Sequence, residues 1–287
     1  MASKKNKSIL VSLAHPDDES FGMGGTLAYY ASQGVDVYLI CATNGDVGTV
    51  SPEFMNGYDT IAELRQAELS CAAQHLGLKD VILLNYRDSG MAGTPDNEHP
   101  DCLVAAPLDE VAEKVTHYIR KLQPDVVITF DPVGGYHHPD HIAIYEATQK
   151  AYEAANDPDK YPEAGAPFQP QALYYHVFPR RFLRLVVRVL KLLGRDPSKF
   201  GRNEDIDLEM LAGDEDYPRH VEVDFKPVAD KQKQAAQCHA SQLDMGPPSL
   251  TGRIFNAFRS LAPSKDSFMR AYPPTADDFH ATDLFVN

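Results

Sequence analysis

Positive charge is scarce in this chain, and the scarcity argues against one class of partner. The 287 residues include 27 lysines and arginines against 41 aspartates and glutamates, which gives a formal net charge of −14. A protein that binds a phosphate backbone needs a basic face. We therefore expect no nucleic-acid partner and interpret the acidity as an aid to solubility.

Cysteines and long apolar runs are also few. The four cysteines (Cys41, Cys71, Cys102 and Cys238) include no Cys-x-x-Cys pair. Free thiols in a reducing cytosol are therefore expected, rather than a secreted disulfide scaffold. No segment approaches the roughly 20 apolar residues that span a bilayer, and the apolar run 9–14 is too short for a signal-peptide core. These absences predict a soluble, cytoplasmic protein.

Short apolar runs alternate with segments of helical period through the first part of the chain. The predicted strands are residues 8–14, 35–43, 80–86, 125–131 and 171–179, and the principal predicted helices are 59–78, 106–122 and 141–155, with Asp59 as the N-cap of the first. Strands that are apolar on both faces and alternate with helices are typical of a parallel sheet covered on both sides. We predict an α/β fold: a Rossmann-like open, mostly parallel sheet with helices on both faces. A Gly-x-Gly-x-x-Gly loop is missing after the first strand, which argues against a dinucleotide site.

The pattern loosens after residue 179. Residues 1–179 are predicted to form a Rossmann-like metal-binding catalytic core, and residues 180–287 a smaller, irregular part that walls the substrate pocket without being an independent domain. This part is predicted to contain a basic amphipathic helix (180–195), a short strand (220–225), a helix (226–242) and an irregular tail after Met245. We favour packing of helix 180–195 on the core or on a second subunit of a homo-oligomer; the alternative is contact with an anionic membrane.

Histidine and aspartate are concentrated at two points of the sequence. Residues 14–19 (AHPDDE) follow the first predicted strand, and residues 131–141 (DPVGGYHHPDH) follow the fourth. Ligands bind beyond the carboxyl ends of the strands in a doubly wound sheet, so both clusters should lie at one edge. A catalytic zinc site takes three imidazole or carboxylate ligands and keeps one position open. The pattern predicts a metal held by His15 and Asp18, with a third ligand from the second cluster.

Together, these two motifs resemble the double signature of the PIG-L/LmbE-like deacetylases. Those are zinc enzymes that remove N-acetyl groups, mostly from glucosamine-containing molecules. The similarity covers most of the first 180 residues, with TNG (43–45), ELRQAE (63–68) and YRDSGM (86–91), and is faint in AAQCHASQ (235–242). The resemblance implies that His15, Asp18 and His141 hold the metal, which would be Zn²⁺, with Fe²⁺ as the alternative.

The same resemblance implies roles for further residues. Asp17 would be the general base for a metal-bound water. Tyr136 would stabilise the oxyanion, and His138 would donate a proton or stabilise the oxyanion. Asp140 would hydrogen-bond His138 and fix its tautomer or raise its pKa. The implied substrate-binding residues are Arg65 and Asp88.

These residues lead to a functional interpretation with two alternatives. The leading one is a metal-dependent hydrolase that removes an N-acetyl group from an N-acetylglucosamine-type sugar or conjugate. The alternatives are an amidase acting on a larger acyl or thiol-conjugate amide, and a non-catalytic metal-containing sugar-binding protein. Asp17 argues against the latter, because a binding protein needs no base. His137, where many relatives have glycine, is interpreted as an exposed bystander, and His239 is left open between a helix surface and a pocket role.

Overall fold

One mixed sheet organises the protein. The computed structural model describes residues 6–178, 180–192, 194–198, 207–213, 215–243 and 264–286. Within these residues the sheet has the strand order β3-β2-β1-β4-β5-β7-β6. The strands are β1 (Ser8–Leu13), β2 (Asp36–Thr43), β3 (Asp80–Tyr86), β4 (Val126–Phe130), β5 (Ala172–Val177), β6 (Val221–Asp224) and β7 (Lys265–Tyr272). The first five are parallel, whereas β7 runs antiparallel to both β5 and β6. The predicted fold class is confirmed.

Helices connect and cover the strands. They are α1 (Asp18–Gly22), α2 (Gly24–Ser32), α3 (Ile61–Leu76), α4 (Leu108–Leu122), α5 (Gly134–His137), α6 (Pro139–Ala154), α7 (Arg180–Leu192), α8 (Leu208–Ala212), α9 (Ala229–Cys238) and α10 (Ala240–Leu243). Short 3₁₀ turns lie at Pro52–Met55, Pro95–Glu98, Leu103–Ala105, Pro162–Ala164 and Lys226–Val228. Helices α2, α3 and α9 pack together, as do α4 and α6. Right-handed crossovers place the two groups on opposite faces, because the strand order reverses at β1. Every residue of β1 and β4 is consequently buried.

Helix α3 shows how local sequence fixes an element of the site. The Thr60 hydroxyl accepts a hydrogen bond from the Glu63 backbone N–H, and the Glu63 carboxylate accepts bonds from the N–H groups of Thr60 and Asp59. This capping box typically contributes about 1 kcal/mol. Gly77 ends the helix in the left-handed conformation, with φ of 76°. The predicted N-cap, Asp59, was therefore one residue early.

The C-terminal part differs from its prediction at several points. The predicted helix 226–242 is divided into a 3₁₀ turn and the helices α9 and α10. Strand β7 lies in a tail that was predicted to be irregular, and with β6 it completes the sheet of the core. Helix α7 ends at Leu192 instead of residue 195, and Arg180 does not belong to an exposed basic face, because its side chain is buried against Asp131. The part of the predicted irregular tail at 245–263 lies outside the described residues.

The prediction of four free thiols was wrong. Cys71 of α3 and Cys238 of α9 form a disulfide with a Cα–Cα distance of 5.8 Å, whereas Cys41 and Cys102 are free and buried. Because 167 residues separate the bonded pair, cysteine spacing held no sign of it. Among the described helices, none combines the length and the apolar composition that crossing a membrane requires.

Candidate metal centre and active site

The two histidine- and aspartate-rich motifs meet where the strand order reverses. Residues 14–17 follow β1, and residues 131–141 follow β4, its neighbour in the sheet. The connections from these strands leave in opposite directions, which opens a crevice at their carboxyl ends. The fold therefore brings together loops that lie more than 100 residues apart.

Three side chains that can bind a metal converge in this crevice. His15 Nδ1 lies 3.1 Å from His141 Nε2 and 3.6 Å from Asp18 Oδ2, and His141 Nε2 lies 3.3 Å from Asp18 Oδ1. A tetrahedral ion with bonds of about 2.0–2.1 Å separates neighbouring ligand atoms by roughly 3.3 Å. Two imidazole nitrogens and one carboxylate therefore fit a catalytic divalent cation in both chemistry and spacing. A ring nitrogen of His138 also lies within 4.8 Å of those of His15 and His141, which makes it a further donor close to the centre.

Groups behind the ligands fix the orientation of both imidazoles. His15 Nε2 lies 3.1 Å from Asp140 Oδ2, and the same carboxylate accepts bonds from the Ser89 hydroxyl and backbone N–H. His141 Nδ1 lies 3.1 Å from the carbonyl oxygen of Gly134. Such partners set the tautomer of a metal-binding histidine and raise its basicity.

This arrangement corrects the prediction for Asp140. Its carboxylate contacts His15, and only its backbone N–H reaches His138, by donating to Nδ1 over 3.2 Å. The pKa of His138 is lowered to about 2 by burial and by the neighbouring His15 and His141, although Asp140 acts in the opposite direction and raises it. A neutral imidazole whose Nδ1 accepts a bond carries its proton on Nε2. His138 is therefore better suited to donate a hydrogen bond than to transfer a proton.

Asp17 is held beside the candidate metal centre in a strained conformation. Its φ of 138° is rarely adopted by residues other than glycine. Its backbone N–H donates to Glu19 Oε2 over 3.0 Å, and its Oδ2 lies 3.1 Å from Arg65 Nη2. Burial raises the pKa of Asp17 to about 6, although Arg65 opposes the rise. A carboxylate with a pKa near neutrality suits a general base.

Arg65 and Asp88, the predicted substrate-binding residues, lie close to Asp17 and His15 respectively. Arg65 is buried and donates to the carbonyl oxygens of Pro16 and Gly45 in addition to its ion pair with Asp17. Asp88 lies with Oδ1 3.7 Å from His15 Nε2 and accepts a bond from the Gly90 N–H. Arg65 therefore supports the position of Asp17. Contact of Arg65 or Asp88 with substrate stays a prediction.

Tyr136 lies across the crevice, on the turn α5. Its ring is 5.0 Å from that of His141 and 5.9 Å from that of His138. Burial, together with the carboxylates of Asp18 and Asp17, raises its pKa well above the usual value. The phenol therefore keeps its proton and can donate a hydrogen bond. Neighbouring His137 is exposed, which agrees with its interpretation as a bystander.

Sequence reasoning missed Glu19 and left His239 open. Both side chains are fully buried, and His239 Nε2 lies 2.7 Å from Glu19 Oε1. Because Glu19 Oε2 accepts the Asp17 N–H, this pair supports the candidate base from behind. The signal was present in the last letter of AHPDDE and in the faint match at 235–242. A helix-surface position for His239 is excluded.

Comparisons with known proteins identify similar sequences. The PIG-L family model, described as GlcNAc-PI de-N-acetylase, matches residues 10–152. A 1D-myo-inositol 2-acetamido-2-deoxy-alpha-D-glucopyranoside deacetylase of Rhodococcus erythropolis is 35% identical over 97% of each chain. A deacetylase of the same name from Thermobispora bispora is 35% identical over 85% of this chain and 82% of its own.

Solved structures share the fold at lower identity. An N,N'-diacetylchitobiose deacetylase from Pyrococcus horikoshii superposes with a TM-score of 0.63 at 20% identity, covering 92% of this chain and 83% of its own. A 4-carboxy-2-hydroxymuconate hydratase from Pseudomonas putida superposes with a TM-score of 0.58 at 19% identity, covering 94% of this chain and 98% of its own. Because these two neighbours differ in the reaction they are named for, the fold alone does not select a reaction.

Proposed function

This chain belongs to the PIG-L family of de-N-acetylases, and from that premise we propose that it hydrolyses the acetamide of an N-acetylglucosamine-type sugar joined to an inositol. The convergence of His15, Asp18 and His141 beside the carboxylate of Asp17 is the observation that carries the proposal. A sugar-binding protein has no need of a strained, buried base at that point. The relatives of about 35% identity, which are named for the inositol-linked sugar, support this choice of substrate.

We propose Zn²⁺ as the metal, held by His15, Asp18 and His141. Two of the three donors are imidazole nitrogens, and each imidazole is held by a hydrogen-bond partner at its other nitrogen. Both features favour zinc over the harder cations that prefer oxygen ligands. When bound, the cation supplies Lewis acidity, which polarises the amide carbonyl and lowers the pKa of water.

The side chains around the centre account for the remaining steps. Asp17 accepts a proton from the attacking water, whose oxygen forms a bond to the amide carbon. The former carbonyl oxygen becomes an oxyanion, to which Tyr136 and the Nε2–H of His138 donate hydrogen bonds. The C–N bond then breaks as the proton held by Asp17 passes to the nitrogen, which gives acetate and a free amine. Arg65 keeps Asp17 oriented through its ion pair.

Substrate choice is proposed to depend on Asp88 and on the C-terminal part. Asp88 lies at the carboxyl end of β3 beside His15, where its carboxylate can accept bonds from sugar hydroxyls. From the C-terminal part, α10 contacts α3 and the loop after β2: Ser241 donates to Glu68 of α3, and Gln242 donates to the Thr49 carbonyl oxygen. A homo-oligomer and a cytoplasmic location stay predictions.

A substrate screen with parallel metal analysis tests the proposal. The purified chain is stripped with a chelator, reloaded with Zn²⁺ or Fe²⁺, and assayed for acetate and amine release. The inositol-linked N-acetylglucosamine should react fastest, with free N-acetylglucosamine and diacetylchitobiose slower. A thiol conjugate carrying a larger acyl group is the probe for the alternative amidase activity. Release of amine from none of these by the metal-loaded protein would refute the proposed function.

A further inference from the structure

Arg180 holds a position that neither the family motifs nor the mechanism explains. It begins α7, in the C-terminal part, yet its side chain is 2% exposed and reaches back to the loop after β4. The sequence predicts a basic amphipathic helix here, with its arginines on the face opposite the apolar side chains. A buried guanidinium on such a helix requires specific partners, because an unpaired buried charge is very costly.

Arg180 and its ion-pair partner Asp131 both contact the backbone of one residue, Gly135. Arg180 Nη2 donates to Asp131 Oδ2 over 3.2 Å and to the Gly135 carbonyl oxygen over 2.8 Å. Asp131 Oδ1 accepts a bond from the Gly135 N–H over 2.7 Å. Both backbone polar groups of Gly135 are therefore held by one buried ion pair, and Tyr136 is the next residue.

The backbone of this turn needs such support. Gly134, Gly135 and His137 all have positive φ angles, of 60°, 71° and 63°. Gly135 lies at ψ of −62°, and neither it nor Tyr136 has helical dihedral angles. Strained conformations of this kind persist only where surrounding contacts over-determine them. The Asp131–Arg180 pair supplies contacts of that kind at the residue with the most unusual dihedral angles.

The loop after α8 approaches the guanidinium of Arg180 closely. A Cβ atom built on Gly213, which follows α8, would lie 2.4 Å from Arg180 Nη1, at φ of 42°. The loop after α8 therefore packs directly against the guanidinium. Arg184, one turn further along α7, instead donates to the Ala212 and Gly213 carbonyls and pairs with Asp216. Arg184 is thus a matched arginine on the same helix without a contact to the Tyr136 turn.

We propose that Arg180 and Asp131 are positioning residues that hold Tyr136 in place to donate to the oxyanion. The proposal rests on the proposed function, since it assigns Tyr136 a part in amide hydrolysis. It adds that the C-terminal part acts on the chemical step through Arg180, in addition to walling the pocket. Among the described residues, no hydrogen bond or ion pair joins Arg180 or Asp131 to a candidate metal ligand.

A double-mutant cycle in the metal-loaded enzyme tests the coupling. Loss of one oxyanion donor typically costs about 10²-fold in kcat, which is the effect expected for Y136F. R180K keeps the charge but cannot reproduce the planar fork, and a displaced donor should lower kcat by roughly tenfold with little change in KM. In the Y136F background, R180K should cost less than about twofold, because residues that act as a unit are not additive. R184K is the control and should retain wild-type kcat.

A second readout does not depend on turnover. The sequence contains no tryptophan, so H137W places a single fluorophore on the exposed position next to Tyr136. Time-resolved anisotropy of H137W without substrate should show greater local motion when R180K is added, and no change when R184K is added. D131N, which keeps the shape of the side chain and removes its charge, should resemble R180K.

The outcomes separate this proposal from the proposed function. Equal losses of kcat from R180K in the wild-type and Y136F backgrounds, or unchanged anisotropy in H137W/R180K, would overturn the positioning role while leaving the deacetylase intact. Amide hydrolysis by none of the folded, metal-loaded variants, the wild type included, would instead refute the function. Metal content is measured for every variant, and a loss in R180K would also overturn the proposal, because it would show an effect on the metal centre.

Discussion

Glu19 and His239 are separated by 220 residues in the sequence, yet His239 Nε2 lies 2.7 Å from Glu19 Oε1 with both side chains fully buried. The other oxygen of Glu19 accepts the backbone N–H of Asp17, so the pair braces the candidate base in its strained conformation. A buried carboxylate keeps its position only while its donors are present. Two residues of the C-terminal part thus contact different parts of the active site. His239 supports the base Asp17 through Glu19, whereas Arg180 is proposed to support the oxyanion donor Tyr136.

Removal of His239 should therefore impair turnover without releasing the metal. We expect H239L to lower kcat by about tenfold through displacement of Asp17, with KM little changed. H239Q retains a donor and should recover part of the loss. Steady-state kinetics and metal content measured on the same preparations check this, and loss of metal in H239L would contradict it.

The two adjacent aspartates should separate into a base and a ligand. D17N should keep its metal while kcat falls by at least about 10²-fold, the usual contribution of a general base. D18N should bind the metal more weakly, because Asp18 faces both imidazoles. Titration with a zinc-sensitive dye and turnover at saturating metal distinguish the two effects. Equal metal loss in the two variants would show that the base had been mistaken for a ligand.

The features that could be predicted from the sequence are those that depend on residues close together in the chain. Strands β1 and β4 are buried on both faces, so each reads as a continuous apolar run, and the motifs after them reveal the edge where the site forms. Strand β7 was missed because Lys265, Asp266, Ser267 and Arg270 interrupt its apolar pattern. The contacts of Asp140 with His15, of Glu19 with His239 and of Cys71 with Cys238 each join distant segments, and no spacing rule connects them.

The disulfide between Cys71 and Cys238 should contribute to stability. It closes a loop of 167 residues between α3 and α9, and cross-links of native loops typically contribute about 2–4 kcal/mol. C71S and C238S should each lower the free energy of unfolding by a similar amount, and the double variant by no more than either one. Urea titrations with and without a reductant check this. Reductant should destabilise only the wild type; equal stability of wild type and variants would exclude a closed disulfide.

Asp266 should make the protein less stable as the pH rises from acid to neutral. Its Oδ2 accepts bonds from the backbone N–H and hydroxyl of Thr26, at the start of α2. Burial nevertheless raises its pKa to about 7. The folded state then binds the proton more tightly than the unfolded chain, in which a carboxyl titrates near about 4. The contribution of this group to the free energy of unfolding is therefore complete below about pH 4 and falls until about pH 7.

D266N separates that contribution from the other titrating groups. An asparagine oxygen can accept both bonds from Thr26 and carries no charge, so the variant should escape the penalty of burying a carboxylate. One pKa unit corresponds to about 1.4 kcal/mol, and the side chain is only partly buried, which reduces the effect. We therefore expect the free energy of unfolding of D266N to be higher than that of the wild type by about 1–2 kcal/mol at pH 8. The difference should vanish at pH 4, where the wild-type carboxyl is protonated. Urea titrations at pH 4, 5, 6, 7 and 8 measure it, and parallel profiles for the two proteins would show that Asp266 titrates alike in the folded and unfolded states.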